Sequence, residues 1–123
     1  MKVMCQISLG DFIDKITILT IKSMRIKDEE KLWHIKKELD WLKERYNGGC
    51  DDLLQDLLLV NQKLWIVEDL LRFMENRKMF NKKFIGLARS VYMLNDKRFE
   101  IKNEINKRFG SEFVEQKSYE DYK

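Results

Sequence analysis

The stretch LARSVYMLNDKRFEIKNEIN, Leu87 to Asn106, decides how the rest of the chain is arranged. With Phe84 just upstream, Leu87, Val91, Leu94, Ile101 and Ile105 fall at alternating three- and four-residue steps, the spacing that puts side chains on one stripe of a helix. Arg98 stands where the next apolar residue should come, with Asn95 one turn before it. A guanidinium in such a seam either runs its stem out to water or takes carboxylate and amide partners, because an unpaired buried charge costs several kcal/mol. The partners of Arg98 are therefore the first thing to look for elsewhere in the sequence.

Upstream, Leu53, Leu57, Val60, Leu64, Val67, Leu71 and Met74 keep strict four-three spacing over about three heptads. A second row beside it reads Leu54, Leu58, Asn61, Trp65 and Glu68, which makes Trp65 a core residue. The basic run NRKMFNKK, Asn76 to Lys83, reads as the loop that joins this helix to the last one. Centred near Met79, that loop sets Asn61 beside Asp96 to Arg98 if the two helices are antiparallel.

At the other end, Ser8 followed three residues later by Asp11 marks a helix start. Phe12, Ile16, Leu19, Ser23 and Ile26 form one stripe of this first helix, and Ile13, Ile18, Ile21 and Met24 occupy much of the remaining circumference. A helix this apolar is covered on more than one side, by the bundle or by another subunit. Asp14 lies roughly 7 Å from the level of Arg98 at about 1.5 Å per residue, within reach of an arginine. The next stripe, Leu32, Ile35, Leu39, Leu42 and Tyr46, is out of phase with the first, which places a turn near Lys27 to Glu29 with Asp28 as the cap.

The expected fold is all-α: an antiparallel bundle of four helices, up-down-up-down, in one domain spanning 1–123, with helices at about 9–27, 29–47, 51–76 and 81–109. A short arm precedes them, and a tail, SEFVEQKSYEDYK, follows. The arrangement gathers Asp14, Asn61, Asn95 and Arg98 into a polar layer inside an apolar bundle. Such a layer either fixes helix register or holds a small anion, with the arginine forked onto it and the asparagines orienting it.

Composition narrows the rest. With 123 residues, 44% apolar and 37% charged, the chain buries a core and is neither disordered nor membrane-spanning. Val3 to Gly10 is too short and too polar for a secretion signal, so cytoplasmic residence is the default. Cys5 and Cys50, without CxxC spacing, read as free thiols rather than a disulfide, zinc or redox pair. The net charge of +3 is a mixed surface, laced by the helical pairs Asp11 with Lys15, Glu68 with Arg72 and Glu104 with Arg108. His34 has no cysteine or second histidine near it, no glycine-rich phosphate loop exists, and the acidic pairs do not face each other across core helices. No metal and no cofactor is expected. Trp33 and Trp41 share the second face of helix two with Lys37. Together with Ile18 and Ile21 they mark a protein contact and a homo-oligomer, while Glu38, Asp40 and Glu44 among them argue against nucleic acid.

The segments GDFIDKITILTIKSMRIKD, LWIVEDLL and LARSVYMLNDKRFEIKNEINKRFGSEFVEQKSY resemble those of an uncharacterised family of small proteins of bacteria and their phages. The resemblance implies that Asp14, Lys15, Glu68, Asp69, Asn95, Asp96 and Arg98 belong to a shared pattern, and it assigns no activity to any of them. Two readings stay open. One is a non-enzymatic, self-associating interaction or structural bundle. The other is a binder of a small anionic metabolite, or a cofactor-free enzyme acting on one, built around Arg98.

Overall fold

A helix starts where a side chain supplies the partner that a first-turn amide lacks. In the computed structural model, which describes residues 1–123, Ser8 Oγ accepts from Asp11 N to open α1 (Leu9–Arg25). Asp28 Oδ1 accepts from Lys31 N to open α2 (Glu29–Glu44). Asn81 Oδ1 does the same for Phe84 N at the head of α4 (Lys82–Phe109). Only α3 (Asp51–Asn76) lacks a side-chain cap, and there Asp51 and Asp52 oppose the positive end of the helix dipole. α4 stops at Gly110, whose φ of 61° is the left-handed conformation that lets its amide return to the last carbonyls. α1 and α2 end earlier than expected, because Ile26 is already extended ahead of the Asp28 cap and Gly48 and Gly49 both take positive φ.

Contacts between helices fix their directions. Gly10, Asp11 and Asp14 meet Asn106, Lys102 and Arg98 in that order, so α1 and α4 run antiparallel. Arg108 forks onto Asp52 at 2.7 and 2.9 Å, far from the loop that joins α3 to α4, which makes those two a hairpin. Lys15 pairs with Glu38 at 3.1 Å across the α1–α2 turn. Chain direction alternates from helix to helix.

The packing is less symmetric than a closed bundle. α1 touches the other three helices, while α2 approaches only α1. The core gathers on both sides of α1: Ile13, Ile16 and Leu19 with Leu39 and Leu42 of α2, Cys50, Leu53 and Leu57, and Ile105 of α4. α1 has 17 residues against 26 and 28 in α3 and α4. The hairpin extends past the end of α1 toward its loop, and with α2 reaching neither α3 nor α4, Val67, Leu71, Leu87, Val91 and Leu94 of the expected core stripes are only half-buried.

Charge pairing also crosses helices rather than following them. Asp11 goes to Lys102, Lys15 to Glu38 and Arg108 to Asp52, which leaves Glu68 with Arg72 as the one expected intrahelical pair formed, at 3.8 Å. Both cysteines are free, Cys50 buried and Cys5 exposed. No helix is long and apolar enough to cross a membrane.

Candidate functional site

The site is built where α1, α3 and α4 meet. Asp14 is buried, its side chain 8% exposed, and Arg98 reaches it from α4 with a two-point fork: Nε donates to Oδ1 at 2.9 Å and Nη2 donates to Oδ2. From α3, the Asn61 amide donates to Asp14 Oδ1 and to Thr17 Oγ1, both at 2.9 Å. Thr17 Oγ1 in turn donates to the Asp14 main-chain carbonyl at 2.7 Å. The carboxylate is thus surrounded by donors, and the hydrogen bond from Arg98 to Asp14 raises the arginine further above its ordinary range than burial lowers it. Three of the four residues expected in this layer come together. Asn95 does not: it is half-buried on the same side of α4 yet makes no hydrogen bond to the layer, because Arg98 has already given its fork to Asp14. Thr17 takes the fourth place, signalled only by its position three residues after Asp14 in an otherwise apolar helix.

One turn further along α4, Lys102 lies almost wholly inside, with Asp11 at 2.9 Å and Glu115 at 2.7 Å. Burial pulls its pKa down, but hydrogen bonds to Glu115 and Asp11 win and leave it above the ordinary 10.5. Its support for the fold is complete below that value and is lost as pH rises through the higher folded one. A turn later, Asn106 Oδ1 accepts from Gly10 N at 2.7 Å. Ser111 Oγ accepts from Leu9 N at 2.9 Å, so the first amides of α1 are held by α4 and the segment after it.

That segment, residues 111–123, doubles back along α4 as an extended strap. Glu115 pairs with Lys102, Lys117 lies 5.2 Å over the Phe99 ring, and Tyr122 packs edge-on against Tyr92 while its hydroxyl donates to Asp96 at 2.7 Å. The bond to Asp96 is the main reason the Tyr122 phenol is pushed up from 10.0 to about 12. Ultraviolet titration should show one tyrosine ionising near that pH, and Asp96→Asn should bring it back toward about 10. Because the folded value is the raised one, this tether persists through neutral pH and is released as pH climbs past it. An unchanged titration in Asp96→Asn would remove the tether.

Beside the layer opens a cleft of about 360 Å³ lined by Ile18, Leu64 and Trp65, with Asn95, Arg98 and the charged trio Glu68, Asp69 and Arg72. Trp65, expected in the core, is half-buried and forms a wall of this cleft. Of the interface residues expected on α1, Ile21 is 2% exposed within the single chain, covered by its own neighbours, whereas Ile18 is half-buried and lines the cleft. Trp33 and Trp41 do lie on the surface, at 58% and 50% exposure. Each already carries a cation on its ring, Lys37 at 4.8 Å from Trp33 and Arg45 at 3.5 Å from Trp41.

A family model described as "Family of unknown function (DUF6165)" matches residues 1–122. The chain belongs to that family. No curated protein and no solved structure matches it. The DUF6165 match takes in the arm, all four helices and the strap, so the residues that clamp Lys102 and Asp96 from the strap belong to the matched region as fully as Asp14 and Arg98 do.

Proposed function

We propose that this protein is a non-enzymatic helical interaction module of the cytoplasm that associates with further copies of itself. The observation that carries this reading is its surface. A compact chain of 15.0 kDa leaves about 7,000 Å² accessible, whereas this one exposes 9142 Å². The excess, roughly 2,000 Å², exceeds the share of about 800 Å² that each partner gives to an ordinary stable interface. Apolar side chains stand out on this surface in the arm and at outward-facing Leu59, Ile66, Phe73 and Ile85, the last four 45 to 56% exposed. The Arg98 layer fits the same reading, since Nε and Nη2 of Arg98 and the Asn61 amide donate inside the protein and hold three helices in register. Sedimentation equilibrium at micromolar concentration should return at least twice the mass of one chain. A single-chain mass at every concentration overturns the proposal.

A second reading, binding of a small anion, is favoured by one feature: the cleft opens directly on the Arg98 guanidinium, with Arg72 across from it. Glu68 and Asp69 on the same rim weigh against it. Its test is a thermal shift with inorganic phosphate and small carboxylates, measured against each variant's own baseline. Arg98→Met should abolish any increment, and no increment in the native protein removes this reading.

A further inference from the structure

α3 carries two apolar rows. The inner one faces α1 and α4; the outer one, Leu59, Ile66 and Phe73, recurs every seven residues and is 56, 45 and 50% exposed. Seven residues are close to two turns, so the three lie on one line, with the spacing of a seam between helices. Next to that line, Ile66 and Val67 of α3 and Ser90, Met93 and Leu94 of α4 line an open groove of about 500 Å³ that no α1 residue reaches. Lys63 and Lys97 stand along it, and their long stems let the ammonium groups swing out to water when the apolar floor is covered. Gly86 lies one turn before Ser90 on the same side of α4. A Cβ added there would meet nothing within 4 Å, so the α4 backbone is open to close approach.

We infer that a second copy of this chain docks on this groove, hairpin against hairpin, so that two α3–α4 pairs form a four-helix bundle around Leu59, Ile66, Phe73 and Met93. The inference rests on the self-associating reading above and names the face that carries it. A second copy fits on three counts. A two-fold contact uses the same patch on both partners and so covers both at once. The surplus area per chain is of the size that such a contact removes. The groove runs between α3 and α4 on a face that no α1 residue lines, so the missing cover is a helical surface, and the hairpin itself supplies one. The Trp33 and Trp41 face lies on α2, which approaches only α1 and not this groove, so it serves as the control in the test.

The test is sedimentation velocity on full-length Ile66→Lys/Met93→Lys beside Trp33→Lys/Trp41→Lys, with circular dichroism to check helicity. Both changes in the first pair fall on surface positions of the protomer, so its helices should persist while association weakens by roughly 100-fold or more. The second pair should assemble like the native chain. An assembled Ile66→Lys/Met93→Lys protein overturns the hairpin face and leaves self-association standing. A native chain that stays monomeric overturns both and gives the groove to a different partner. If the lysine pair does not fold, Ile66→Ser/Met93→Ser decides by the same readout.

Discussion

Replacing Arg98 with methionine is expected to cost about 3 kcal/mol of folding free energy and to lower the melting temperature by roughly 10 °C. The loss follows from what is left behind rather than from what is removed. Asp14, 8% exposed at its side chain, keeps the Asn61 amide but loses both arms of the arginine fork and is left buried without its cationic partner. Against a total stability of about 5–15 kcal/mol for a domain of this size, that is a large fraction. Removing both charges in Asp14→Leu/Arg98→Met should recover much of the loss, because replacing a buried ion pair by apolar groups is often neutral. Urea denaturation of the four proteins in the cycle gives the coupling directly, and a coupling near zero would show that the pair does not hold the helices together.

Gly10→Ala is the second large effect, expected at about 2 kcal/mol. No unusual backbone angle is involved; the constraint is space. A Cβ at this position would sit 2.6 Å from the Lys102 carbonyl oxygen and 3.0 Å from Asn106 Oδ1. A carbonyl within a helix cannot turn aside, so α1 must back away from α4 and stretch the 2.7 Å bond from Gly10 N to Asn106. Hydrogen exchange should locate the damage at the start of α1 and near Asn106, with α2 little changed. A variant as stable as the native protein would mean that α1 and α4 are not in this contact.

Regular spacing explains why much of this was visible in the sequence. A fixed rise per residue and a short loop were enough to set Asn61 level with Arg98 and to bring Asp14 within reach, and the structure places all three in one network. Two of the three side-chain caps were equally readable, in Ser8 and Asp28, because each polar residue precedes its helix at the required offset. What periodicity does not encode is which neighbour covers a given stripe. Ile21 looked like spare apolar surface although it is buried within the single chain, and Trp65 looked like core although it walls an open cleft. Lys102, Asn106, Ser111 and Glu115 were missed for a different reason. Their partnership depends on the path of an extended strap, which has no repeat to read, and a lysine at that position in a helix looks like any solvated charge.

The bond between Asp14 and Arg98 spans 84 positions of the chain. During synthesis the most apolar helix leaves the ribosome first and waits, its carboxylate unmatched, until the guanidinium that neutralises it has been added and has emerged. The α3–α4 hairpin can zip up locally as Arg98 and the rest of α4 emerge, so α1 must seat itself on a surface that is already formed. A nascent polypeptide stalled ahead of Arg98 is therefore the species that chaperones should hold longest.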